Sequence, residues 1–186
     1  MITRDEFIAN FSGRDVPELL LKLWDFDQTC DCRYFAEGFE FVADAKGAIA
    51  TWCNATGFLE RLLPFAQANG SGSVYALWLP SSDTNLRVAP VIIFGDEGGV
   101  HVVAENISQL LRLLTFDAEP IVDFDSVCYC RFDDQEFSPH TQRYADWLAA
   151  NAGLTTIQDP KEIVGAAQSA WKSRFVAWAR EYVELD

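Results

Sequence analysis

A continuous apolar run, a glycine-rich turn and a second apolar run restrict the possible folds of this chain more than any other feature. Residues 90–94 (Pro-Val-Ile-Ile-Phe) hold no polar side chain, which is typical of a strand buried on both faces. Residues 95–99 (Gly-Asp-Glu-Gly-Gly) form a turn signal before the apolar segment 100–104. Together these segments predict an antiparallel hairpin in the core.

A second hairpin is predicted just upstream of the first. The turn signal Asn-Gly-Ser-Gly-Ser at residues 69–73 separates the apolar segments 62–68 and 74–79. The apolar residues of Leu59–Ala68 also fit a helix, so periodicity alone leaves the structure of this segment open. Phe39 and Phe41 indicate one more short strand before it.

Helices are predicted on the N-terminal side of these strands. Thr3 and Glu6 have the spacing of a capping box, which predicts a helix over residues 3–11. A second helix follows, with Asp15 as its candidate cap and Pro17 near its first turn.

Helical signals return after the strands. Asn106 is a candidate cap for an amphipathic helix that begins at Ile107. An irregular acidic stretch follows, and then Ser-Pro at 138–139 and Asp-Pro at 159–160 indicate two helix starts. A third and last helix is indicated by an aromatic stripe, made by Phe175, Trp178 and Tyr182.

The order of helices, antiparallel strands and helices predicts an α+β fold, with a central, mostly antiparallel sheet flanked by helices. No linker or repeat divides the 186 residues, which suit a single domain over residues 1–186. We expect N-terminal helices over residues 1–30, a sheet-rich middle over about 35–105 and a helical C-terminal part over about 106–186.

The chain carries a large negative charge. It has 28 acidic and 14 basic residues, which gives a formal net charge of −14. Such a balance argues against binding to nucleic acids or to anionic membranes, because both need lysine and arginine. A basic protein is the natural electrostatic partner. No signal peptide or membrane-length apolar segment is visible, so we expect a cytoplasmic protein.

The five cysteines allow two interpretations. Cys30 and Cys32, and likewise Cys128 and Cys130, are two positions apart, so on a strand each pair would present its thiols on one face, with Cys53 as a further ligand. No Cys-x-x-Cys knuckle is present, which favours reduced thiols that pack as small apolar side chains. We therefore expect no metal.

Signatures of catalysis are absent from the sequence. His101 lies in a predicted strand and His140 in a turn that opens a helix, where structural roles are the more common ones. The glycines at 70–72 and 98–99 fit turns, because neither a P-loop nor a dinucleotide fingerprint surrounds them. We expect no catalytic residue and no cofactor.

The acidic residues are concentrated in two segments. Residues 1–45 carry a net charge of −6 and residues 83–136 a net charge of −8, whereas residues 46–82 are net +1. In both acidic segments aromatic residues alternate with carboxylates, a pattern that suits the recognition of a basic protein. Alternation between core and solvent would give the same pattern. The candidate partner contacts are Trp24, Asp25, Asp27, Asp96, Glu97, Asp123 and Asp125.

The middle of the chain resembles the SUKH superfamily, which includes the Syd-like and Smi/Knr-like proteins. The resemblance spans about residues 35–115. It rests on Phe65-Ala66, Gly-Ser-Gly at 70–72 and Tyr-Ala-Leu-Trp at 75–78, followed by an apolar strand, the Gly-Asp-Glu-Gly turn at 95–98 and the Ala-Glu-Asn helix cap at 104–106. These residues have architectural roles, with Trp78 in the core or a groove wall.

The resemblance implies an α+β domain that binds proteins and has no active site. Many bacterial members are immunity proteins that bind and block a cognate toxin, and others are adaptors. We therefore expect a non-enzymatic protein that occludes a basic toxin, with a general cytoplasmic adaptor of the same fold as the alternative. An enzyme or a thiolate metal protein is a third possibility, which rests on the cysteines.

Overall fold

A computed structural model describes residues 2–31, 34–132 and 134–184. The N-terminal helices α1 and α2 span Arg4–Ala9 and Glu18–Asp27. The predicted capping box is confirmed, since the Thr3 hydroxyl accepts from the Glu6 N–H and the Glu6 carboxylate accepts from the Thr3 N–H at 2.7 Å. Asp15 does not cap α2, because the helix begins directly after Pro17 and has no side-chain cap.

A five-stranded antiparallel sheet forms the centre of the fold, as predicted. Its strands neighbour each other in chain order, β1-β2-β3-β4-β5. Their bounds are Glu40–Phe41, Leu62–Gln67, Val74–Trp78, Val91–Phe94 and Val100–Ala104. Both predicted hairpins are confirmed, and the segment that also fitted a helix is strand β2. Two short helices precede β2, α3 at Lys46–Ala50 and α4 at Thr56–Leu59.

Helices cover both faces of this sheet. Side chains alternate along each strand, so Tyr75 and Leu77 of β3 pack on one side, with α1, α2 and α5 (Ile107–Leu114), whereas Ala76 and Trp78 pack on the other. The second side is covered by α7 (Pro160–Ala179). The apolar run of β4 is buried on both faces, as its sequence predicts.

Trp78 is a core residue at the centre of the α7 side. Its ring meets the rings of Trp171 and Phe175 nearly at right angles, with centroids 6.3 and 5.2 Å away. Its Nε1 atom is buried and has no hydrogen-bond partner among the described residues. Perpendicular aromatic contacts of this kind stabilise a core beyond the burial of area alone.

The C-terminal part is less helical than predicted. The acidic stretch contains a two-stranded hairpin of β6 (Pro120–Val122) and β7 (Val127–Tyr129). Within residues 134–184, two helices replace the expected three, because α6 (Thr141–Ala152) is followed by the single long helix α7. Ser138 does not cap α6, since its N–H and hydroxyl both bind Asp117.

Asp117 is the most completely buried carboxylate of the described residues. It is 0% exposed and lies in the left-handed region, with φ of 56°. Its oxygens accept from the N–H of Glu37 at 2.6 Å, from Ser138 and from the Thr141 hydroxyl at 2.8 Å. Arg131 forms an ion pair with it at 3.5 Å. One side chain thus connects three segments that are distant in sequence.

Asp117→Asn should lower the free energy of unfolding by about 3 kcal/mol, because it leaves Arg131 without its counter-ion and turns an amide NH₂ toward donors. Urea denaturation followed by circular dichroism measures the change. Glu136→Gln is the matched control, since Glu136 is an exposed acid of the same segment. Equal stability of the two variants would contradict a central role for Asp117.

Candidate functional site

A depression of 550 Å³ lies between the C-terminal part of α2 and strand β1. Tyr34 lines it and remains 57% exposed. The other aromatic rings that line it belong to Trp24, Phe35, Phe39 and Phe41. Carboxylates stand beside these rings, contributed by Asp27, Asp31 and Glu40.

A second depression, of 100 Å³, adjoins the first and shares Tyr34, Phe39 and Glu40 with it. It adds two carboxylates, those of Glu37 and Glu119. We call the two depressions together the acidic groove, whose five carboxylates belong to Asp27, Asp31, Glu37, Glu40 and Glu119. Among residues 2–31, 34–132 and 134–184, no lysine or arginine lines it.

Asp27 has the most perturbed carboxylate of the groove. Partial burial raises its pKa from 3.8 to about 6, and the negative charge of Glu40 adds to the increase. The side-chain amide of Gln28, which donates to Asp27 at 3.3 Å, opposes this only in part. Among the described residues, no cation contributes to the pKa of Asp27 and stabilises its ionised form.

The ionised carboxylate of Glu37, at the other end of the groove, is disfavoured in the same way. Burial raises its pKa, and the charges of Asp117 and Glu119 contribute, against an opposing effect of Arg131. Glu119 is held in place by the N–H of Gly70, which donates to its carboxylate at 2.9 Å. The groove thus gathers like charges on fixed backbone segments.

Two hairpin turns meet next to the groove. We call them the hairpin tips: residues 95–99 between β4 and β5, and residues 123–126 between β6 and β7. A Cβ atom on Gly99, whose φ is +80°, would lie 2.1 Å from the Asp123 carbonyl oxygen, so the close approach requires glycine. The ring of Phe124 lies over Gly98 and is 68% exposed. The tips present four exposed acids, Asp96, Glu97, Asp123 and Asp125.

The turn between β2 and β3 connects the hairpin tips to the groove. Asp96 accepts hydrogen bonds from the hydroxyls of Ser71 and Ser73, both at 2.8 Å, and that of Ser73 contributes most to lowering the pKa of Asp96. In the same turn, the Asn69 amide donates to the Pro120 carbonyl at 3.3 Å. Both acidic segments of the sequence therefore contribute to one end of the sheet.

The two histidines have structural roles in this arrangement. His101 lies in β5, as predicted, and its Nε2–H donates to the Asp123 carbonyl at 2.7 Å. Burial lowers the pKa of His101, which favours the neutral ring. His140 uses Nε2 to donate to the Cys30 carbonyl at 2.9 Å. Each ring links segments that are distant in sequence.

The structure places the predicted contact residues in four different settings. Trp24 is only 4% exposed, stacked on Phe7 with centroids 5.2 Å apart, so it forms the wall of the groove more than a free contact. Asp25 faces α1, where Arg4 pairs with it at 3.3 Å, and it does not line the groove. Asp27 does line it. The remaining four, Asp96, Glu97, Asp123 and Asp125, lie together at the hairpin tips.

Sequence reasoning missed Tyr34, Asp31, Glu37, Glu40 and Glu119 as groove residues. They come from separate segments of the chain, and only the pairing of β1 with β2 and the fold of residues 117–120 bring them together. The one signal available in the sequence was the excess of acids over bases in residues 1–45 and 83–136.

The cysteines do not assemble into a cluster among the described residues. Cys128 and Cys130 lie 3.7 Å apart, Sγ to Sγ, and both are exposed. Cys30 is buried, Cys53 is partly buried, and Cys32 lies outside the described residues. Within the ranges that the structure describes, no three His, Cys, Asp or Glu side chains are arranged to hold a metal ion.

Comparisons of the chain with models of protein families, with curated proteins and with solved structures gave no match. The resemblance to the SUKH superfamily therefore stays a prediction. No helix in the described parts of the chain is long and apolar enough to cross a membrane.

Asp27→Asn should stabilise the protein by about 1 kcal/mol at neutral pH, after allowance for solvent screening of a half-buried group. The pKa of Asp27 is raised on folding, from 3.8 to about 6, so folding penalises its ionised form. This free-energy penalty is absent below about pH 3.8 and complete above about pH 6. Urea denaturation near pH 4 and near pH 7.5 should show the stabilisation only at about pH 7.5.

Asp25→Asn is the matched control, on the same helix two residues away. Because Asp25 is exposed and paired with Arg4, its replacement should change the free energy of unfolding by less than about 0.5 kcal/mol at either pH. Destabilisation of Asp27→Asn at neutral pH would refute the conclusion that folding disfavours the ionised form of Asp27.

Proposed function

We propose that this chain is a non-enzymatic protein-binding domain of the immunity type, which neutralises a basic toxin in the cytoplasm by binding and covering it. The observation that carries the proposal is the acidic groove, where five carboxylates surround aromatic rings without a lining lysine or arginine among the described residues. The resemblance to the SUKH superfamily supports the same function.

A basic side chain would relieve the repulsion within the groove. Between Asp27 and Glu40, an arginine or lysine of the partner replaces like-charge repulsion with attraction and lowers the pKa of Asp27. Such desolvated charge pairs are among the contacts that dominate protein interfaces. The net charge of −14 adds long-range attraction, which accelerates encounter with a basic surface.

Exposed aromatic residues supply apolar contact on the same surface. Tyr34 lies along the groove and Phe124 on the hairpin tips, and they are 57% and 68% exposed. Aromatic side chains bordered by charge are typical of the centres of protein interfaces. They are therefore the expected anchors for the partner, in place of the buried Trp24.

Co-expression with the basic toxins encoded beside its gene tests the proposal. The native chain should bind one such toxin and restore growth. Asp27→Asn combined with Glu40→Gln should weaken the complex about tenfold or more, since two charges that face the partner are lost. Titration calorimetry measures the affinity. Asp25→Asn is the control and should change the affinity less than about twofold.

Three results of that experiment separate the alternatives. Failure of every neighbouring toxin to bind would overturn the proposal. Binding without neutralisation would favour an adaptor. If the groove variant and Asp25→Asn weaken the complex equally, the net charge of the chain accounts for the affinity and the groove does not.

The affinity for the basic partner should decrease as the pH falls below about 6, because the Asp27 carboxyl gains a proton in the free protein. Binding near that pH should release a proton, which calorimetry in buffers of different ionisation enthalpy detects. Asp27→Asn should abolish most of this release. Unchanged proton release in the variant would assign it to another group.

A further inference from the structure

A cavity of 410 Å³ at the opposite end of the sheet has a predominantly cationic lining. Three cationic side chains line it, those of Arg14, Lys46 and Arg61. Among the described residues, Glu60 is the one acid that lines it, although the chain has twice as many acids as bases.

Neutral oxygen atoms, and no carboxylates, hold these cations in place. Arg14 donates from Nη2 to the Ser82 carbonyl at 2.9 Å, and Lys46 donates from Nζ to the Ser12 hydroxyl at 2.7 Å. Arg61 donates to the Leu79 carbonyl. The ion pairs of the described residues, within 4.0 Å, involve other cations: Arg4, Lys22, Arg87 and Arg131. Among the described residues, none of the three cavity cations therefore pairs with a carboxylate within 4.0 Å.

The topology of the sheet keeps them away from the acidic groove. Arg61 directly precedes β2 and Ser82 follows β3, whereas the groove and the hairpin tips lie at the end where β2 turns into β3. The six residues of β2 span about 20 Å, which exceeds the screening length of about 8 Å at physiological ionic strength. The acids of the groove therefore do little to neutralise the cavity.

We propose that this cavity binds a small phosphorylated, hydroxyl-bearing anion. The three cations suit the oxygens of a phosphate group, with the arginines offering paired N–H donors. Further polar groups line the cavity, the hydroxyls of Ser12, Thr56 and Ser82 and the carboxylate of Glu60. The Glu60 carboxylate can accept hydrogen bonds from ligand hydroxyls, and its negative charge repels a ligand that consists only of phosphate groups. No aromatic ring of the described residues lines the cavity, so stacking of a nucleobase is not part of the proposed site.

Titration calorimetry at low ionic strength with glucose 6-phosphate, pyrophosphate and glucose tests the site. Glucose 6-phosphate should bind most tightly, pyrophosphate more weakly and glucose not measurably. Lys46→Met should weaken binding of glucose 6-phosphate about tenfold, which corresponds to the loss of one charge-assisted hydrogen bond. Lys46 is a mild position for this change, because among the described residues its ammonium hydrogen-bonds only to the Ser12 hydroxyl.

Lys22→Met is the matched control. It removes the same charge from a lysine that already pairs with Glu18 at 2.9 Å, so the affinity should change less than about twofold. Arg14→Gln provides a second variant on a different segment and should weaken binding as Lys46→Met does. The absence of binding to the native chain, or an equal effect of Lys22→Met, would overturn the proposal. Tighter binding of pyrophosphate than of glucose 6-phosphate would overturn the role of Glu60.

Discussion

The buried carboxylate of Asp117 fixes the geometry on which the acidic surface depends. Removing a charge from water is unfavourable unless donors replace the lost hydration, and here the Glu37 N–H, the N–H and hydroxyl of Ser138, the Thr141 hydroxyl and Arg131 do so. These donors belong to the segment before β1, to the segment after β7 and to the start of α6. Because they converge on one point, Asp117 ties the segment before β1, which lines the groove, to residues 131–141.

The topology of the sheet then separates the charges of the chain. Antiparallel neighbours in simple order place the turns at 68–73 and 95–99 at one end, together with the start of β1. Acids from both acidic segments border that end, whereas the segment with little net charge, residues 46–82, supplies Lys46 and Arg61 to the other end. A chain with a net charge of −14 therefore presents two chemically different ends.

Local signals predicted most of the fold. The capping box at Thr3, the two glycine-rich turns and the Asn106 cap each depend on residues close in sequence, and each is present in the structure. The β6–β7 hairpin was missed because its strands have three residues each, too few for alternation to stand out from the surrounding acids. Ser138 has the chemistry of a cap but binds Asp117, an interaction between residues 21 positions apart.

The candidate site was harder to predict, because its geometry, like the contact of Ser138 with Asp117, depends on residues that are distant in sequence. Trp24 and Asp25 look like contacts when read beside Asp27, but a helix turns successive residues by about 100°, so the three side chains face different neighbours. Trp24 packs into the core against Phe7, and Asp25 meets Arg4. Only Asp27 turns toward Glu40, whose position depends on the pairing of β1 with β2.

Under the proposed function, the raised pKa of Asp27 couples the stability of the free protein to partner binding. A carboxylate whose pKa is raised to about 6 by burial and by Glu40 lowers the stability of the free protein at neutral pH. An asparagine would avoid that loss, yet it would also remove the charge that a cationic partner needs. Binding sites commonly keep groups that destabilise the unbound fold, because the partner supplies the missing interaction. Under the proposed function, the same carboxylate lowers the stability of the free chain and would supply affinity in the complex with a basic protein.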